Sequence, residues 1–70
     1  MKVLVADKIA QEGIDMLSQY AQVDVKTKQT QEQIIPIIKD YEAIIVRSQT
    51  KVTADIIEAG KKLQVIGRAG

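Results

Sequence analysis

Apolar residues fall in short blocks of two kinds along these 70 residues. The first kind is a compact apolar run bounded by charged or polar residues, Val3 to Ala6 and Ala43 to Val46, while Leu63-Gln64-Val65-Ile66 is read separately as a fourth strand. Runs this short and this apolar predict strands buried on both faces. Val23-Asp24-Val25 alternates instead, which predicts an edge strand with one polar face. The second kind follows helical spacing. Ala10, Gly13, Ile14 and Leu17 stand at i, i+3, i+4 and i+7, predicting a first helix over Lys8–Tyr20 with Asp7 as its N-cap. Thr30-Gln31-Glu32-Gln33 has the form of a capping box, and Ile34, Ile35, Ile37 and Ile38 continue it into a second helix reaching Asp40. Pro36 lies inside that helix and removes one ladder hydrogen bond. Thr53 caps a third helix, Ala54–Ala59, which Gly60 is expected to end as a left-handed residue.

The blocks alternate as βαβαβαβ, the signature of an α/β fold with a parallel sheet and right-handed crossovers. Placing the apolar strands centrally and the alternating one at the edge gives the order 2-1-3-4. This is a partial, incomplete flavodoxin-like or Rossmann-like doubly wound sheet. In such sheets a ligand sits beyond the carboxyl ends of the strands where the winding reverses, here between the first and third strands. Those ends carry Asp7-Lys8 and Arg47-Ser48, and the fourth strand ends nearby at Gly67-Arg68.

Composition narrows the chemistry. The chain is 46% hydrophobic with no Phe and no Trp, so its core is aliphatic. It has no Cys and no His, which removes disulfides, zinc sites built on those residues, thiol nucleophiles and imidazole bases. A domain this small without staples is expected to have a stability on the order of 3–5 kcal/mol. The formal net charge of +1 argues against nucleic acid as a partner. Val3 to Ala6 is far too short for a signal h-region or a membrane span, so no membrane association and a cytoplasmic location are expected.

Lys8, Arg47 and Arg68 are thus expected to gather at one rim, with Ser48 adding a hydroxyl. Guanidinium forks match carboxylates and phosphates, so the rim suggests a small anionic ligand, set against the blander reading of solvated loop ends. Gly67-Arg68-Ala69-Gly70 is not a dinucleotide fingerprint and reads as a glycine turn closing the last strand. The remaining carboxylates are scattered over helix surfaces and form no acid/base pair. No catalytic, cofactor-binding or metal-ligating residue is assigned. A phosphoacceptor receiver domain shares the topology, but the place of its acceptor Asp after the third strand holds Val46-Arg47-Ser48.

The segments VRSQTKVTADII (46–57), LQVIGRAG (63–70) and VLVADKIAQEGIDML (3–17) resemble the D-2-hydroxyacid dehydrogenase family, in particular its members that oxidise 3-phosphoglycerate. The resemblance covers essentially the whole chain. It implies that residues 1–70 are the N-terminal part of a flavodoxin-like substrate-binding domain whose Rossmann nucleotide domain lies elsewhere. It implies NAD as cofactor, 3-phosphoglycerate as substrate, oxidation to 3-phosphohydroxypyruvate in serine biosynthesis, and a homo-oligomeric parent enzyme. It also implies that Arg47, Ser48 and Arg68 bind the substrate's phosphate or carboxylate. The family's catalytic Arg, Glu and His have no counterparts here, so the chain alone is expected to be inactive.

The topology adds an independent expectation of incompleteness. The first helix covers one face of the sheet and the other two helices cover the opposite face. Nothing would then cover the first-helix face over those of Ile44, Val46, Val65 and Ile66 that point to it, on whichever side each lies, and the fourth strand would keep an open edge. The alternative is a standalone, non-enzymatic binding or assembly module that uses this exposed apolar face as its interface.

Overall fold

The computed structural model describes residues 1–69. Seven elements alternate along the chain: β1 (Lys2–Val5), α1 (Gln11–Ser18), β2 (Gln22–Val25), α2 (Gln31–Ile38), β3 (Ala43–Val46), α3 (Ala54–Ala59) and β4 (Val65–Arg68). The strands form one sheet in the order β2-β1-β3-β4, every neighbouring pair parallel. The topology read from the apolar blocks is therefore the observed one. The alternating strand β2 is at an edge, and β1 and β3, which carry the two continuous apolar runs, are central.

Pleating divides the strand residues between two layers. Leu4, Ala6, Ile44 and Val46 pack with Ile34, Ile38, Tyr41 and Ile56 beneath α2 and α3. Val3, Val5 and Ala43 form a smaller cluster with Ile9, Ala21, Val23 and Ile45 on the α1 side. The pleat settles which of these residues the first-helix face carries. Ile44 and Val46 point to the covered side and are buried. Val65, which pairs with Ala43 on the α1 side, is 53% exposed, and Ile66 on the opposite side is 47% exposed.

Local chemistry explains most element boundaries. The Thr30 hydroxyl accepts from the Gln33 N–H while the Gln33 side chain accepts from the Thr30 N–H, completing the capping box. Pro36 stays inside α2, which ends at Ile38, short of Asp40. Thr53 caps α3 through the Ile56 N–H. Three details differ from expectation. Helix α1 begins at Gln11, and its N-cap Ala10 has no polar side chain to cap it, while the Asp7 carboxylate is engaged elsewhere. Gly60 has φ −81°, not a left-handed value. A side chain there would press on Leu63 Cβ at 3.1 Å and the Ile56 carbonyl at 3.3 Å, so close approach is what favours glycine. Finally, β4 lies two residues later than the run Leu63–Ile66. The Leu63 N–H turns back to the Gly60 carbonyl, and pairing begins where the Gln64 and Val65 N–H groups donate to the Glu42 carbonyl. Gly67 and Arg68 are thereby strand residues and not a closing turn, while Gly70 lies outside the described residues.

Candidate functional site

The ends of β1 and β3 lie side by side at the point where the winding reverses. Asp7 follows β1 and is 2% exposed. Its Oδ2 accepts from the Arg47 N–H at 2.6 Å and from the Thr50 N–H at 2.9 Å. Its Oδ1 accepts from the Thr50 hydroxyl. Burial pushes the Asp7 carboxyl up. The Thr50 hydroxyl and the N–H groups of Arg47, Thr50 and Gln49 more than offset this and leave it below the usual carboxylate range. An anion is thus fixed beneath a loop whose own side chains are cationic and polar. Asp7 is neither the N-cap that its sequence position suggests nor a free base.

The exposed side of this loop carries the residues expected at the rim. Arg47, Ser48, Lys8 and Arg68 are all exposed. The Arg47 guanidinium donates from Nη1 to the Lys8 carbonyl at 3.3 Å, drawing the loop after β3 across the end of β1. Two depressions flank it. One, of about 250 Å³, is lined by Asp7, Lys8, Arg47, Ser48 and Gln49. The other, of about 380 Å³, lies toward β4 and includes Arg47, Ser48, Thr50, Lys51 and Arg68 in its lining.

The predicted rim is therefore divided. Arg47 and Ser48 line both depressions, Lys8 lines the first and Arg68 the second. Lys8 does not share a depression with Arg68. Sequence reasoning missed Lys51, which joins Arg47 and Arg68, and missed Thr50, which ties the loop to Asp7. A signal for Thr50 was present: with β1 beside β3, a carboxylate at the end of one strand faces the loop leaving the other. Guanidinium and ammonium groups around a partly apolar hollow containing Val46, Val52 and Ile66 suit a small organic anion.

A model of the D-isomer specific 2-hydroxyacid dehydrogenase catalytic domain matches residues 3–70. The chain belongs to that family. A D-3-phosphoglycerate dehydrogenase from Synechocystis sp. is 59% identical over 69 residues, which cover 99% of this chain and 12% of that protein. The enzyme of the same name from Archaeoglobus fulgidus is 52% identical over 71 residues, covering 100% of this chain and 14% of its own length. The crystal structure of the PH0520 protein from Pyrococcus horikoshii OT3 superposes with a TM-score of 0.90 at 31% identity. That match covers 96% of this chain and 20% of the neighbour. The chain thus spans a small fraction of the length of each of these relatives.

A dinucleotide does not fit the described residues. No glycine-rich turn opens a helix after either central strand among the described residues. Among the described residues no group of three or more His, Cys, Asp or Glu could hold a metal ion. No helix there is long and apolar enough to cross a membrane.

Proposed function

We propose that residues 1–70 form the N-terminal part of the substrate-binding domain of a cytoplasmic, homo-oligomeric, NAD-dependent dehydrogenase. Its reaction oxidises 3-phosphoglycerate to 3-phosphohydroxypyruvate, a step toward serine. In this reading Arg47, Ser48 and Arg68 hold the substrate's phosphate or carboxylate. The nucleotide-binding domain and the groups that move the proton and hydride belong to other parts of the polypeptide. The observation that carries the reading is the shared lining by Arg47 and Ser48 of both hollows at the strand switch point. The names of the relatives supply the substrate class. The role of this segment is to bind and orient. Arg47 offers a planar pair of donors to an oxyanion, Ser48 a hydroxyl, and Arg68 a second cation from the end of β4.

Steady-state kinetics of the full-length enzyme test the assignment. Arg47→Ala and Arg68→Ala are each expected to raise the KM for 3-phosphoglycerate by about tenfold or more, as loss of a charge-assisted contact requires. An unchanged KM and kcat would remove the residue from the site. The purified 70-residue chain is expected to generate no NADH from 3-phosphoglycerate and NAD, and measurable turnover would refute its dependence on other parts of the polypeptide.

A further inference from the structure

We propose that Asp7 is a positioning residue that fixes the backbone of residues 47–50 in the conformation from which Arg47 and Ser48 meet an anion. The inference rests on the substrate-binding reading above and adds to it a residue that does not touch the substrate. Three donors from a loop 40 to 43 positions away converge on this one buried carboxylate. Two of them are backbone N–H groups on the same oxygen, at the first and fourth residues of the loop. The third, the Thr50 hydroxyl, also reaches the Ala6 carbonyl at 3.4 Å, which ties the loop to the backbone just before Asp7. A carboxylate under an anion-binding loop is electrostatically unfavourable to the anion. Its benefit is therefore geometric: it satisfies N–H groups that would otherwise be free to turn, and so limits the orientations open to the Arg47 side chain.

Geometry and charge predict opposite outcomes, and two substitutions separate them. Asp7→Asn keeps one oxygen able to accept both N–H groups. Its amide nitrogen can donate to the Thr50 hydroxyl, which still has the Ala6 carbonyl to donate to. Asp7→Ala removes the charge and the acceptors together. In the full-length enzyme, Asp7→Ala is expected to raise the KM for 3-phosphoglycerate about tenfold while kcat changes less than about threefold. Asp7→Asn is expected to leave the KM at or below the wild-type value. If both substitutions lower the KM equally, Asp7 acts only as a charge and the positioning role is wrong. It is equally wrong if neither changes it.

Residue-resolved amide hydrogen exchange of the full-length enzyme reads the positioning without any substrate. Asp7→Ala should accelerate exchange at Arg47 and Thr50 by about tenfold or more while the Ile44 amide, within β3, keeps its protection. Asp7→Asn should hold Arg47 and Thr50 within about threefold of wild type, and loss of their protection in that variant would overturn the proposal even where the alanine variant fails to fold. If Arg47→Ala leaves the KM unchanged, the substrate reading fails, and exchange still decides whether Asp7 orders the loop. If Arg47→Ala raises the KM but Asp7→Ala changes neither exchange nor KM, the positioning role alone fails.

Discussion

Adjacent residues in β3 face two differently covered sides of the sheet. Ile44 points beneath α2 and α3 and is 0% exposed, whereas Ile45 points toward the α1 side and is only partly buried. Two helices and Tyr41 close the first side over both central strands. Helix α1, which packs against β2 and has no buried residue of its own, closes less of the second. The contrast shows where the site's support comes from. Asp7 directly follows Ala6 and Arg47 directly follows Val46, both part of the well-covered cluster. The polar loops thus leave the sheet from its most firmly packed strand ends, which is the placement a binding site needs.

The largest expected effect breaks the better-covered side. Ile44→Ala should cost about 2–5 kcal/mol, comparable with the whole stability of a domain this size. Ile45→Ala should cost about 1–2 kcal/mol, because less of its surface is removed from water. Urea unfolding followed by circular dichroism measures both, and equal losses would abolish the distinction between the two sides.

Next in size is Asp7, where loss of one charge-assisted hydrogen bond costs about 1.5–3 kcal/mol. Its folded pKa lies below its ordinary value of 3.8. The stability it contributes is therefore full above the unfolded pKa and is lost as pH falls through the folded one. Acid unfolding of the wild type should lose this contribution below about pH 4, and Asp7→Asn should remove that part of the pH dependence. Identical acid profiles would contradict the carboxylate's role.

Tyr41 sharpens the comparison at the β2 edge. Its hydroxyl donates to Asp24 Oδ2 at 2.7 Å, and Lys2 Nζ stands 5.0 Å from its ring centroid. Burial, with Asp24 alongside, raises its pKa to about 12. Its contribution is full below the unfolded value of 10.0 and is lost as pH rises through about 12. Tyr41→Phe should cost about 1 kcal/mol at neutral pH and weaken the alkaline loss of stability, read by thermal melts across pH 8–12. The smallest effect belongs to the exposed edge, where Val65→Ala should change stability by no more than about 0.5 kcal/mol. A larger loss would mean that Val65 is covered.

The sequence disclosed those features that depend on local pattern. Apolar runs gave the central strands, alternation gave the β2 edge, and Thr30 and Thr53 announced two helix starts. It misjudged features decided by distant partners. Asp7 has the form of a helix cap, but donors from residues 47–50 claim its carboxylate and α1 starts three residues later than expected. Likewise, β4 is registered by its pairing with β3 and by the Glu42 carbonyl, not by the apolar run from Leu63. At the rim, strand order alone brought Arg47 and Ser48 to the switch point. Which cations share a hollow depends on the pleat and the path of the loop, so Lys51 was missed and Lys8 was grouped with Arg68.

The central claim is that the anion meets this chain at the loop following β3. A crystal structure of the full-length enzyme with 3-phosphoglycerate bound tests it most directly. The account predicts the Arg47 guanidinium within hydrogen-bonding distance of a phosphate or carboxylate oxygen, with Ser48 and Arg68 beside it and the Asp7 bonds to Arg47 and Thr50 intact. A substrate bound with Arg47 and Arg68 both turned to solvent would contradict it.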